Sequence, residues 1–547
     1  MFEQDRRVKL LTLGAMCFGL FMVMLDNTVV NLALPTIQRQ LGSGLSGLQW
    51  IVDAFTLLLA SLMLTGGTLG DLYGRKRAFM SGVALFTAGS LFCALSPSIG
   101  LLIAGRAIQG VGAAVMMPST LAIITNTFHD PKEQAQAIGI WAGVSGTALA
   151  LGPVIGGVMV DSLGWQSIFY LNVPIGIIAL VLTTRVVRES KNPEGRGLDL
   201  PGQLLAIVGL AALTYGFIEA NTYGWGSTRI VGVFIVAVVT LSAFAVVEMR
   251  TRSPMLDLKF FRNRTFFGAN LVGLLVSFGF FGILFFLALF MQNVLGYSAA
   301  QAGLRQLPNT LAVMVASILS GRIVGRGGAR APITVGMILL GGGILLFTTV
   351  QATSAFSSFW WMLVIMGVGC GLVMPTMTTA IMSTVPAARA GMASATSNTT
   401  RQVGGVFGIA LLGSIVTSRF GSELTKGVHA LNLSPAVSER IIAIAHQGRQ
   451  SVSLPAGSGV DPHVISRIIG ESFTSGLHVG LWTCGLVVLS GAIVGFVMVR
   501  DTSPEAQMAR HAAGSARAEN APVPEHAPPG IAEATAPLVP EPADQTD

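Results

Sequence analysis

Long apolar runs separated by short polar breaks dominate the chain. A bilayer core of about 30 Å is crossed by roughly 20 apolar residues in a helix. Measured against that length, the pattern predicts fourteen helices, over about 10–34, 48–69, 78–96, 99–124, 135–160, 168–187, 200–219, 229–248, 266–290, 301–321, 332–352, 358–382, 391–417 and 476–499. Two stretches break the rhythm. The connection at about 418–475 carries Ser434-Pro435 and Asp461-Pro462, each a capping residue followed by proline at a first helical position, so short surface helices are expected there. A lid or spacer is the plain reading of that connection, and substrate gating the lesser one. From Asp501 to Asp547 the chain is rich in proline and alanine and has no apolar periodicity, which predicts a disordered tail.

Composition excludes a soluble protein: only 11% of residues are charged, against about 25% in soluble domains, and the mean hydropathy is +0.68. The net charge of +7 does not indicate nucleic acid, because the cations follow membrane topology. With the N-terminus in the cytoplasm, 23 of the 33 Lys and Arg residues fall on the inner side or its tails, and the short outer loops hold only Arg39 and Arg229. Both termini are therefore expected in the cytoplasm, in a multi-pass plasma-membrane protein. Cys17, Cys93, Cys370 and Cys484 all lie inside apolar runs, so neither a disulfide framework nor a metal site is expected.

An internal repeat sets the organisation. Gly110-Val111-Gly112 followed by Met117-Pro118 recurs as Gly367-Val368-Gly369 followed by Met374-Pro375, an offset of 257 residues. Gly67 and Gly74 bracket a basic loop, and Gly321 and Gly328 bracket another at an offset of 254. The third and fourth helices thus fall on the eleventh and twelfth. This divides the chain into a six-helix half (1–190), two inserted helices with their loops (191–265), a second six-helix half (266–500) and the tail (501–547). Duplicated halves around a midplane cavity are an architecture of secondary transporters.

Ionisable groups inside apolar helices are expensive, which marks them as functional candidates. At 1.5 Å per residue, Asp26 stands about 24 Å above the inner end of its helix, Arg106 about 10 Å below the outer end of the fourth, and Asp53 about 7 Å below the outer end of the second. All three share the outer half of the bundle, where a carboxylate beside an arginine forms either a static brace or a switchable proton site. The loop Gly67-Thr68-Leu69-Gly70-Asp71-Leu72-Tyr73-Gly74-Arg75-Lys76-Arg77 suits a cytoplasmic latch in which Asp71 faces a helix N-terminus or pairs with a cation. In the fifth helix, Gly152 and Gly156 form a small-residue face, Pro153 permits a bend, and Gly157 follows. Arg401 lies near mid-membrane and needs an anion, a carbonyl or water. Asn31, Gln109, Met117, Met374 and Arg401 are the candidates for lining a substrate cavity. No Walker A pattern, His-Glu-x-x-His or nucleophile elbow is present, so no built-in motor or catalytic set is visible.

Taken together, the stretch Asp26 to Pro35, the Gly67–Arg77 loop, Arg106 with Gln109-Gly110, Gly146…Gly152-Pro153…Gly156-Gly157, Trp165 to Pro174 and Arg401-Gln402-Val403-Gly404-Gly405 resemble the major facilitator superfamily, in particular its fourteen-helix drug:H⁺ antiporters. The resemblance covers about residues 10–500. It implies an all-α fold of two six-helix halves plus two central helices, and proton-driven export of drugs, antibiotics or other amphipathic molecules by alternating access. It implies no cofactor and a monomer. Asp26 would handle the proton, with Arg106 in coupling, Gly152 and Pro153 in the exporter motif and Asp71 with Arg75 in the latch. Leu72 stands where the loop motif usually has arginine, Gly325 aligns with Asp71 in the second half, and the thirteenth helix has no acid, which puts recognition of dications in doubt. Export of one endogenous metabolite, lipid or siderophore is the alternative reading, and a non-transport sensor the minor one.

Overall fold

The computed structural model describes residues 2–191, 199–251, 258–385, 390–431, 433–446 and 462–500. Fourteen of its helices are long and apolar enough to cross a membrane. They are α1 (Phe2–Leu41), α2 (Leu45–Tyr73), α3 (Arg75–Ala94), α4 (Ile99–Thr127), α5 (Pro131–Leu163), α6 (Asn172–Val186, preceded by a turn at Ser167–Tyr170), α7 (Leu200–Tyr223), α8 (Thr228–Arg250), α9 (Arg264–Leu289), α10 (Ala299–Gly327), α11 (Arg330–Leu346), α12 (Trp360–Met382), α13 (Ala390–His429) and α14 (Pro462–Met498). The face on which α1 begins is termed near, the opposite face far.

Helix starts are written in capping residues. Asp130 accepts from the amides of Lys132 and Glu133 at 2.9 Å with Pro131 at the first position, and Asn263 accepts from Thr265 N at 2.9 Å. Ser298 and Gln301 form a reciprocal capping box at α10. Gly74, at φ +115°, makes the turn between α2 and α3 in a conformation that side chains rarely adopt.

Packing repeats between the first six helices and the last six. α1 packs on α4, α5 and α6, and α3 joins α4 and α6; in the same pattern α9 packs on α12, α13 and α14, and α11 joins α12 and α14. The close approaches repeat as well. A Cβ on Gly112 would stand 2.7 Å from the Gly82 carbonyl oxygen, and one on Gly369 would stand 2.6 Å from that of Gly336. Only glycine lets these backbones meet. Across the middle, α5 packs on α10 and α2 on α13. α7 lies against both α2 and α13 and carries α8 on its other side. Its Gln203 Nε2 donates to the Ser61 carbonyl at 2.7 Å, and Asn221 Nδ2 donates to the Ser414 carbonyl at 2.5 Å.

The long connection at 418–475 differs from its expected form. α13 runs on to His429 and α14 starts at Pro462, so both helices extend well beyond a 30 Å core. A small separate core explains the extension: Phe420, Leu424 and Val428 of α13 pack with Ile465 and Ile469 of α14 and with Ile441 and Ala445 of a surface helix, Pro435–His446. That surface helix begins at the expected proline, while Asp461 lies outside the described residues, as does the tail from Asp501.

Candidate functional site

Five helices meet at Asp26. This carboxylate on α1 is 3% exposed and forms an ion pair with Nη1 of Arg106 on α4. Its other oxygen accepts from Asn172 Nδ2 of α6 at 2.8 Å and from Gln109 Nε2 at 3.2 Å. Arg106 is engaged in turn: Nε donates to the Ile51 carbonyl of α2 at 2.9 Å, Nη1 to Gln109 Oε1 at 2.9 Å, and the guanidinium lies 4.3 Å from the Phe55 ring centroid. Gln109 also donates to Ser90 Oγ of α3 at 2.7 Å. Such a buried pair repays its desolvation to the extent that further hydrogen bonds meet its other donors and acceptors.

Asn172, Ser90 and Phe55 were not singled out from the sequence. Asn172 carried a usable signal, an amide inside an apolar stretch; Ser90 and Phe55 carried none. Gln109, expected at a cavity, is fully buried and bonds within the Asp26 network. Asp53 stands apart. It is 0% exposed, and neither carboxylate oxygen has a hydrogen-bond partner among the described residues. It lies on α2 one turn from Gln49, whose Nε2 donates to the Ile409 carbonyl at 2.8 Å, and thus on the stripe that faces α13 rather than α4.

The fifth-helix glycines serve two contacts. Gly156 sits where a Cβ would lie 2.8 Å from Val29 Cγ1 of α1, and Gly152 faces Thr28. Gly157 faces the other way, where a Cβ would lie 2.8 Å from Ala300 Cα at the start of α10, and Gly303 of α10 meets the Pro153 backbone. Asp161 completes this seam by accepting from Ala299 N at 3.1 Å and Ala300 N at 2.9 Å.

Hydrogen bonds between the two sets of six helices are confined to one side. Gln292 Nε2 donates to the Leu32 carbonyl at 3.0 Å and Asn293 Nδ2 to Gln38 Oε1 at 3.1 Å. With the Gln49 and Asp161 bonds, these lie toward the far face; the deepest, Thr399 Oγ1 to the Ala60 carbonyl at 3.4 Å, reaches mid-height of α2. None is found nearer the near face among the described residues. The two sets are thus hydrogen-bonded together toward the far side.

At the near face, Asp71 pairs with Arg75, Nη2 to Oδ1 at 2.9 Å, and Arg75 Nη1 reaches the Ala122 carbonyl of α4 at 3.5 Å. The N-terminus of α3 is held by Glu189 instead, which accepts from Lys76 N at 3.0 Å and Arg77 N at 3.2 Å. Of the two expectations for Asp71, the cation partner is the one observed. A Cβ on Gly67 would stand 3.5 Å from Pro118 Cβ of α4, an ordinary contact distance.

A cavity of about 230 Å³ lies toward the far face, beneath the extended ends of α13 and α14, with Gln38, Gln49, Asn221, Asn293, Phe420 and Phe473 among its lining. None of Asn31, Gln109, Met117, Met374 or Arg401 borders it. Asn31 is 9% exposed, with Oδ1 lacking a partner among the described residues, while Met117, Met374 and Arg401 are partly buried. No cluster of metal-ligating side chains is found among the described residues.

The profile of the Major Facilitator Superfamily matches residues 16–409. The multidrug resistance protein Stp of Mycobacterium tuberculosis (strain CDC 1551 / Oshkosh) is 38% identical over 498 residues, covering 89% of this chain and 92% of that protein. The tetracenomycin C resistance and export protein of Streptomyces glaucescens is 34% identical over 499 residues, covering 90% and 92%. Among solved structures, a bacterial homolog of the human lysosomal transporter Spinster, inward-facing and unoccupied, superposes with a TM-score of 0.62 at 18% identity, covering 91% of this chain and 99% of that one.

Proposed function

The chain belongs to the Major Facilitator Superfamily, and we propose that it is a proton-coupled exporter of drugs and other amphipathic small molecules that works by alternating access. Relatives named for multidrug resistance and for antibiotic resistance and export support this substrate class. The two six-helix sets are the moving units, α7 and α8 the insertion between them, and α5–α10 and α2–α13 the seams on which they rock. The chain is a monomer with both termini in the cytoplasm, so the closed far side is external and the observed state accepts substrate from the cytoplasmic side.

The observation that carries the coupling mechanism is the Asp26 network. Deprotonated Asp26 ties α1, α4 and α6 together through Arg106, Gln109 and Asn172. A proton delivered to Asp26 removes the charge that holds Arg106. Unpairing a buried cation costs about 3–5 kcal/mol unless its surroundings change, so protonation drives the helices to a second arrangement. One proton moving inward down 100 mV supplies about 2.3 kcal/mol, enough for a roughly 50-fold gradient of a neutral compound. Gly152 and Gly156 let α5 follow α1 in that movement, and Asp71–Arg75 stabilises one end state at the near face. No cofactor enters the cycle.

The test is proton movement in inverted vesicles holding wild type or Asp26→Asn, challenged with cationic dyes and antibiotics. Compound-induced collapse of an imposed pH gradient with wild type, and none with Asp26→Asn, is the expected result. Equal collapse with both would remove Asp26 from the proton path, and silence from folded wild type would remove the drug-export reading.

A further inference from the structure

We infer that Arg401 of α13 is the receptor for an anionic group, a carboxylate, sulfonate or phosphate, carried on the apolar body of an exported molecule. This deepens the exporter reading and rests on it for the term substrate. The sequence frames the inference: from residue 258 to residue 422 there is no Asp or Glu, although Arg305 and Arg401 sit in helices of that stretch. The second six-helix set therefore offers no carboxylate at membrane depth, in contrast to Asp26 and Asp53 in the first.

Arg401 lies about 16 Å along α13, level with the middle of α2, where the neighbouring Thr399 bonds the Ala60 carbonyl. Its stem crosses α9 at Gly273, where the missing side chain makes room: a Cβ there would stand 3.6 Å from Arg401 Cγ and 2.9 Å from Met377 Sδ of α12. The Nε is enclosed without an acceptor, and no hydrogen bond or ion pair reaches Arg401 among the described residues. The other intramembrane arginines each have a partner, although Arg305 Nε, like that of Arg401, meets no acceptor among the described residues. Arg106 has Asp26, and Arg305 stacks 3.9 Å from the Tyr297 centroid and donates to the Gln301 carbonyl. Asp53 does not serve Arg401, because Thr399 faces α2 and Arg401, two residues on, lies about 200° round the helix. Ser277, one turn along α9 from Gly273, and Thr376, beside Met377, are both fully buried with hydroxyls lacking partners among the described residues, so neutral donors stand in the same region.

An uncompensated cation at this depth is costly, and an arriving anion would recover that cost. Gly273 and Met377 give an apolar, adaptable wall for the rest of the molecule. The arrangement favours molecules with an acid group over their esters and disfavours dications.

The test uses the full chain in phosphatidylcholine nanodiscs, with pyrenebutyrate and its methyl ester as probes and tryptophan-to-pyrene energy transfer as the readout. Wild type should bind the acid at least tenfold more tightly than the ester. Arg401→Ala should abolish that ratio, and Arg401→Lys, which keeps a point charge, should retain part of it. The same ratio in wild type and Arg401→Ala, or no preference in wild type, overturns the assignment. Replacing part of the lipid by phosphatidylglycerol separates the sources of the anion. No displacement of pyrenebutyrate supports an exported solute, while displacement through Arg401 overturns that in favour of a lipid headgroup. No acid preference in wild type, with its vesicle proton movement intact, would sink the anion receptor and leave export standing; a wild-type acid preference lost in Arg401→Ala, without vesicle proton movement, would do the opposite.

Discussion

Asp161 on α5 grips Ala300 at the opening of α10: its Oδ2 accepts the Ala300 amide at 2.9 Å while Oδ1 takes that of Ala299 at 3.1 Å. A carboxylate from one six-helix set thus caps a helix of the other, where it meets both the unpaired amides and the positive end of the helix dipole. Asp161→Ala should remove about 1 kcal/mol from the closed far side, a roughly fivefold shift in population. In a background lacking the native cysteines, Ser46→Cys, at a position lining the far-face cavity, should then react several-fold faster with an impermeant maleimide added from the far face. An unchanged rate would mean that the cap contributes nothing to closure.

Gln109 separates a cavity residue from a network residue. It bonds Asp26, Arg106 and Ser90 at once. Gln109→Leu should leave those partners unmet, at about 1–3 kcal/mol, and slow the export of every substrate in a chemically varied panel by a similar factor. Substrate-dependent losses would return Gln109 to the cavity.

Gly112 and Gly369 occupy equivalent close approaches in the two sets of helices. Alanine at either position presses a methyl group against backbone, so each variant should lose about 1–3 kcal/mol of thermal stability, with the two falling by comparable amounts. Tm in detergent checks this. A drop for one and none for the other would show that the repeat does not extend to packing.

Asp71 and Glu189 should behave differently. The Asp71–Arg75 pair is partly exposed and of adjacent turns, so Asp71→Asn should change Tm little, within about 1 kcal/mol, while lowering transport rate. Glu189→Ala, which strips two capping bonds from α3, should cost about 1 kcal/mol or more. Equal effects on Tm would contradict this division between latch and cap.

Depth was legible in the sequence and direction was not. The rise of a helix is fixed, so residue counting placed Asp26 and Arg106 at one height, and they meet. Counting also put Asp53 near that height. Which side of α2 it takes depends on how α2 rolls against α4 and α13, and the roll is set by packing between helices. Asn172 reaches Asp26 because α6 leans on α1, a contact with no local signature. The length of the helices at the far-face connection escaped the sequence for a related reason: Phe420, Leu424 and Val428 fall beyond the expected span, and they stay helical because they pack on Ile465 and Ile469, a pairing of distant segments with no local signature.

The docking of α7 has a mechanical consequence. Gln203 is fastened to Ser61 on α2 and Asn221 to Ser414 on α13, so a single rod is riveted to both sides of one seam. No comparable strap crosses α5–α10 among the described residues. If the rivets hold while the bundle opens, the α2–α13 edge behaves as the spine of a book and the pages part at α5–α10. The chain would then open asymmetrically, with a wider lateral slot on the side that α7 leaves free.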